Sequence, residues 1–207
     1  MRMIVNLHPA PGTRDRLAVA LNQLRTRAVR WTYDADGLAH AGGHSGALDY
    51  EPTDDLDDVG ECADEDLAAL EPLIDRERSV VVAGSDVHFV ACAPQPVRFS
   101  YFMRRRSDFT HHGYLERYHD IHSAFGEATP GIEGYTQLHV DVDASARAAE
   151  RLALGVCDFD SVSELHLTSL DSFVAALATS GFGAEALADE DLFVDRGRSW
   201  DYVQRRL

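Results

Sequence analysis

Lysine is absent. All 19 basic residues of this 207-residue chain are arginine, which excludes Schiff-base chemistry on a lysine amine. Cysteine is scarce: Cys62, Cys92 and Cys157 are odd in number and far apart, so they give neither a disulfide framework nor the spacing of a thiolate zinc site; they read as buried, inert thiols, with one exposed thiol left open. No apolar run is long enough for a membrane span or a signal-peptide core, and the chain passes from a strand-like start straight into prolines, so the expected compartment is the cytoplasm. Positive charge is outnumbered, with 35 acidic residues and a formal charge of −16. Phosphate recognition needs clustered cations, so nucleic acid and anionic membranes are excluded as main partners. A serine nucleophile elbow, a P-loop and a dinucleotide glycine fingerprint in a suitable strand-turn-helix setting are all missing. What is present is a globular composition, 45% hydrophobic, sufficient for one large or two small domains.

Periodicity divides the chain in two. Residues 2–7 read as a strand, Thr13 can cap a helix with the stripe Leu17, Ala20, Leu21 and Leu24, and residues 28–33 read as a second strand. Residues 36–60 are rich in glycine and acid and read mainly as an exposed loop, with at most a short strand near residues 47–50. The acidic run at 54–58 lacks calcium-loop spacing and reads as solvated surface. A helix with Asp64, Glu65 and Asp66 in its first turn buries Leu67, Leu70 and Ile74; residues 80–93 close the half, with Gly84-Ser85-Asp86 expected to form a bulge or a hairpin turn. Pro94-Gln95-Pro96 is a stiff junction, and the order strand, helix, strand restarts at Val97. The expected halves are residues 1–94 and 95–207.

Most candidate chemistry follows that junction. Residues 97–103 are β-branched and aromatic, Thr110 can cap a helix, and Tyr114, Leu115, Tyr118, Ile121 and Phe125 recur at helical spacing with His122 at the stripe's edge. Pro130-Gly131 ends that segment. In the next strand Ile132, Thr136, Leu138 and Val140 share one face, and Tyr135, Gln137 and His139 the other, a polar set that requires a polar interior or solvent. Residues 162–167 set Val162, Glu164 and His166 against Ser163, Leu165 and Leu167. Glu164 is either the orienting partner of a histidine or the ion-pair partner of an arginine. Of Arg104, Arg105 and Arg106, one or two are expected at a pocket mouth, holding a carboxylate, enolate or phenolate. His111-His112 reads as a solvated first turn. His119 and His122, with Glu116 nearby, lack the His-Glu-x-x-His pattern and diverge on the helix, so no metal is expected.

In their order and spacing these pieces resemble the EthD family, which belongs to the dimeric α+β barrel superfamily of ferredoxin-like units. The resembling residues are Tyr114, Tyr118 and His122 on the helix, Pro130, Gly131, Tyr135, Gln137 and His139 on the following strand, the stretch 160–165, and Phe193-Val194-Asp195. Ser161 departs from the usual glycine, and His166 stands where the family more often has an aromatic residue. The resemblance implies an α+β fold, with two ferredoxin-like halves in one chain closing an antiparallel barrel with external helices. The N-terminal half is the degenerate one, and the site is furnished from the C-terminal half. The resemblance also implies an enzyme without a dissociable cofactor, a lyase, isomerase or cyclase acting on a small carbonyl-bearing or aromatic-polyketide-like metabolite. His122 is then assigned as base and His139 as acid, roles that are exchangeable, because histidine titrates near neutrality. Tyr118, Tyr135, Gln137, Arg105, Glu164 and His166 complete the expected substrate site. A cofactor-free monooxygenase, a haem protein with His122, His139 or His166 as axial ligand, and a non-catalytic small-molecule binder remain alternatives, and a homodimer is compatible with all of them.

Overall fold

The computed structural model describes residues 1–34, 42–53, 56–180 and 182–207. The first half runs strand, helix, strand, strand, helix, strand, and the second keeps that strand order with its helices divided and one more helix between its second and third strands. The first comprises β1 (Arg2–Leu7), α1 (Arg14–Gln23), β2 (Val29–Tyr33), β3 (Gly46–Tyr50), α2 (Leu56–Leu70) and β4 (Val80–Val90). The second comprises β5 (Val97–Met103), α3 (His111–Arg117), a π-helical turn (Tyr118–His122), α4 (Ser123–Ala128), β6 (Gly134–Val140), α5 (Val142–Arg151), β7 (Ser161–Leu167), α6 (Leu170–Ser180), α7 (Phe182–Glu190) and β8 (Trp200–Arg206).

The strands form a closed antiparallel barrel in the order β1-β3-β2-β8-β5-β7-β6-β4. Within each half the order is that of a ferredoxin-like sheet, and β2–β8 and β4–β6 are the seams between halves. Closure leaves no open sheet edge among the described strands. β4 serves both halves, pairing with β1 over Val80 to Gly84 and with β6 from Gly84 to Val90. At Gly84 a Cβ would lie 2.2 Å from the carbonyl oxygen of His139, so this close approach requires glycine. The expected interruption at residues 84–86 is therefore continuous strand, and the register irregularity falls between His88 and Val90.

Strand alternation sends successive side chains inward to the barrel or outward to the helices. Met3, Val5, Leu7, Leu48 and Tyr50 point outward and pack with Leu17 and Leu21 of α1 and Leu67 and Leu70 of α2. Ile4, Ala47, Val82, Phe102, Leu138, Val140, Val162 and Tyr202 point inward and fill one end of the barrel. The short strand allowed near residues 47–50 is present over residues 46–50, buried between β1 and β2, whereas its exposure as part of a loop is not; α2 begins at Leu56, before the acidic triplet expected to start it. The run 54–58 begins outside the described residues, at 54 and 55, and its remaining side chains are outside them as well. Thr13 does not cap α1; its hydroxyl donates to the carbonyls of Ala10 and Leu73, tying the turn before α1 to the segment after α2. Thr110 caps α3 as expected, accepting from the Gly113 amide at 3.1 Å. Among the described residues no helix is long and apolar enough to cross a membrane.

Candidate functional site

A cavity of about 400 Å³ lies on the outer face of the C-terminal sheet, beneath α4, α6 and α7. Its floor is Phe99 and Tyr101 of β5, Tyr135 of β6, Ser163 and Leu165 of β7 and Asp201 of β8; Phe125, Phe173, Leu177 and Leu187 supply apolar walls, and His122, Glu190 and Arg196 bring ionisable groups to it. Gly126 faces Tyr135 so closely that a Cβ would lie 2.1 Å from the ring, which is how the tyrosine fits under the helix.

His122 ends the π-helical turn, a local widening that is rare in helices and frequent at functional sites. Its Nδ1 donates to Asp189 Oδ2 at 2.9 Å, leaving Nε2 as the free base, 3.9 Å from Glu190 Oε1. Asp189 is also paired with Arg117. Burial lowers the His122 pKa, partly offset by Asp189, so the neutral imidazole is favoured. Burial acts in the opposite sense on Glu190: with Asp191, Asp189 and Asp201 adding and Arg196 opposing, its carboxyl is pushed up to about 7. Arg196 stands 3.8 Å from Glu190 Oε2 and also holds Asp191 at 3.2 Å. The site therefore pairs a neutral imidazole with a carboxyl that titrates at neutrality, a separation of environments suited to acid and base roles.

Tyr135 Oη accepts a hydrogen bond from Gln137 Nε2 at 2.7 Å, and Gln137 Oε1 accepts from His139 Nε2 at 2.8 Å. Gln137 also donates to the carbonyl of Tyr118 at 3.1 Å. With its oxygen already accepting, Tyr135 is oriented as a donor. Burial pushes its pKa up to about 12, so it stays protonated.

The expected site residues consequently divide. His122 and Tyr135 line the cavity. Tyr118 and Gln137 are buried behind the wall, and His139 packs against Tyr118 and His119 at ring-centroid distances of 5.9 Å from each, on the far side of Gln137. His122 and His139 thus do not share the cavity, a correction to the pairing expected from their common motif. Glu164 and His166 lie on the opposite face of the sheet, inside the barrel, because residue parity on β7 sends them inward. Glu164 is the partner of arginines, bound by Arg2 at 2.7 and 2.9 Å and by Arg98 at 2.9 Å. None of the three consecutive arginines lines the cavity: Arg104 stacks over Phe159 and pairs with Asp158, Arg105 pairs with Asp160, and Arg106 pairs with Asp108. His111 is not simply solvated, since it bonds Asp160 and the Val140 carbonyl at 2.7 and 3.0 Å.

Sequence reasoning missed Glu190, Asp189, Arg196 and Tyr101. The available signal was slight: Leu187 and Glu190 sit three apart on α7 and so share a face, which places an acid beside an apolar contact. Tyr101 alternates with Ser100 and Phe102 on β5, and nothing local distinguishes its face as functional.

The EthD domain model matches residues 106–197, which include His122, Tyr135 and Glu190. None of the curated proteins matches this sequence. Among solved structures the chain is similar in fold to a provisionally assigned monooxygenase from Lactobacillus acidophilus NCFM, at 11% identity and a TM-score of 0.55, covering 99% of this chain and 92% of the other. It is also similar to an anthrone oxidase-like protein at 10% identity and a TM-score of 0.56, covering 100% and 90%. A provisionally assigned chlorite dismutase gives 9% identity and a TM-score of 0.57, covering 100% and 94%. These identities establish a shared α+β barrel and no shared chemistry.

Haem does not fit the cavity. His122 Nε2 would supply an axial donor, but Arg196, the one arginine that the described residues bring to the wall, is engaged by acids, while Glu190 and Asp201 would repel the propionates.

Proposed function

We propose that this protein is a cofactor-independent enzyme that moves protons on a small, largely apolar or aromatic substrate bearing a carbonyl: a lyase, isomerase or cyclase of the kind that handles polyketide-like metabolites. The observation that carries this reading is the meeting of His122 Nε2 and the Glu190 carboxyl in an apolar cavity. His122 takes the proton next to the carbonyl as its electron pair moves into an enolate. Tyr135 donates a hydrogen bond to the developing oxyanion, Arg196 adds positive charge, and protonated Glu190 returns a proton to the enolate carbon or to a departing hydroxyl. Asp189 holds the His122 tautomer, and Gln137, itself oriented by His139, holds Tyr135. On this reading residues 95–207 carry the site and residues 1–94 support it.

The same first step would give a carbanion able to reduce oxygen, and two of the similar folds are described as a monooxygenase and an anthrone oxidase-like protein. One experiment separates the outcomes: the protein is incubated in D2O with aryl 1,3-diketones and hydroxynaphthoquinones while carbon-bound deuterium and oxygen uptake are followed. Exchange without oxygen uptake is expected. Stoichiometric oxygen uptake would make the protein an oxygenase, and saturable binding with neither signal would make it a binder.

A further inference from the structure

A second cavity, of about 430 Å³, opens at one mouth of the barrel, on the face of the sheet away from His122 and Glu190. Its base is a buried charge cluster. Arg2 donates to Asp49 at 2.8 and 2.6 Å, to Glu164 at 2.7 and 2.9 Å and to Asp86 at 3.1 Å, so all five of its N–H groups are engaged. Arg98, only 2% exposed, gives Nε to Gln204 at 2.5 Å and Nη1 to Asp49 and Glu164 at 2.8 and 2.9 Å. Its Nη2 has no partner among the described residues. The guanidinium lies 4.2 Å from the centroid of Trp31, whose indole Nε1 is likewise buried without a partner among the described residues. Both side chains are part of the cavity wall. Buried donors are nearly always satisfied, and an unsatisfied charged donor is especially costly.

We propose that this mouth binds a small planar carboxylate, whose oxygens accept from Arg98 Nη2 and Trp31 Nε1 and whose apolar body lies against Val29, Val90 and Pro94. The orphaned groups are both donors, so the missing partner is an acceptor. Of the wall's carboxylates, Asp49 and Glu164 are occupied by Arg2 and Arg98 and do not supply it, and Glu51 is exposed to solvent. His166 does not compete as a cation, because burial lowers its pKa to about 4, and its Nε2 meets Thr136 Oγ1, which also meets His88. Arg206 adds positive charge to the wall.

The test follows the two tryptophan indole N–H resonances of the folded protein during titration with benzoate, the Trp31 signal being assigned by its loss in Trp31→Phe. A saturable movement of the Trp31 signal, with a dissociation constant at or below about 1 mM, is expected while Trp200 stays fixed. Ala91→Trp, which fills the rim without touching the charge cluster, should abolish the response. Benzamide, which keeps the ring and loses the charge, should bind at least about tenfold more weakly, because it forfeits the charge-assisted bond to Arg98. Glu190→Gln should leave the titration unchanged, which keeps this result separate from the fate of the outer site. No saturable movement would mean that the mouth holds water only and would overturn the proposal. So would equal binding of benzamide, or a response that disappears in Glu190→Gln.

Discussion

In the N-terminal half the space between sheet and helices is filled: Met3, Val5, Leu7, Leu48 and Tyr50 from the strands meet Leu17, Leu21, Leu67 and Leu70 from α1 and α2. In the C-terminal half the equivalent space, under α4, α6 and α7, is a cavity floored by Phe99, Tyr101, Tyr135 and Leu165 with His122 and Glu190 at its wall. The strand order in the sheet is the same in both halves, so strand topology does not make the site. Aliphatic side chains interdigitate and exclude solvent, whereas flat aromatic rings and a few polar groups leave a lined void. The void has an electrostatic consequence, because low polarity around Glu190 favours its neutral form, and that converts a surface-type residue into an acid at neutral pH.

The comparison breaks first at the ionisable pair. His122→Ala and Glu190→Gln should each lower turnover about 10²- to 10⁴-fold with the fold intact, as steady-state kinetics and circular dichroism on the same samples will show. Near wild-type turnover in both would remove the acid–base reading. Packing gives the next largest contrast. Leu67→Ala in the filled half should cost about 2–5 kcal/mol in urea unfolding. Leu177→Ala, on the cavity wall and half-buried, should cost under about 1 kcal/mol, because its side chain already borders empty space.

Acidity sharpens the contrast further. Activity should follow a bell, rising as His122 loses its proton at a pKa below the usual histidine value and falling as Glu190 ionises near 7. Glu190→Gln should erase the alkaline limb from whatever activity remains. The same carboxyl sets a sign for stability. Its folded pKa lies above its usual 4.5, so between 4.5 and about 7 the folded state holds more protons than the unfolded one, and Glu190 makes stability fall as pH rises through that window. In Glu190→Gln that loss should vanish, a difference on the order of 3 kcal/mol at pH 8 by thermal or urea unfolding. The smallest effects belong to the groups outside the cavity: His139→Ala should lower turnover by less than about tenfold, acting only through Gln137 and Tyr135, and His119→Ala should be neutral. A loss at His139 as large as that at His122 would restore it as the proton donor.

Much of the architecture was readable locally. Helical spacing from Tyr114 to Phe125, the alternation from Thr136 to Val140 and the prolines at 94 and 96 place a helix, a strand and a junction where the structure has them, since these patterns report which residues one element can bury together. The strand at 46–50 was readable only as a short strand in a glycine- and acid-rich loop, and its burial comes from pairing with β1 and β2 rather than from its own composition. Parity grouped Tyr135 with Gln137 and Glu164 with His166, and that grouping is correct. Parity does not say which face of a sheet looks toward the helices, and here the two pairs look in opposite directions.

The sequence by itself determined the order of elements, the duplicated α+β plan, the side-chain sets that travel together and the presence of His122 and Tyr135 in a motif, because each depends on spacing within a single element. Only the tertiary structure decided that the C-terminal half is hollow, that His139 stands behind Gln137, and that the partner of His122 comes from α7. His122 and Asp189 are 67 residues apart, and Glu190 follows at once. Nothing in either segment specifies the other; closure of the helices over the sheet brings them together, and the burial it imposes is what moves their proton affinities.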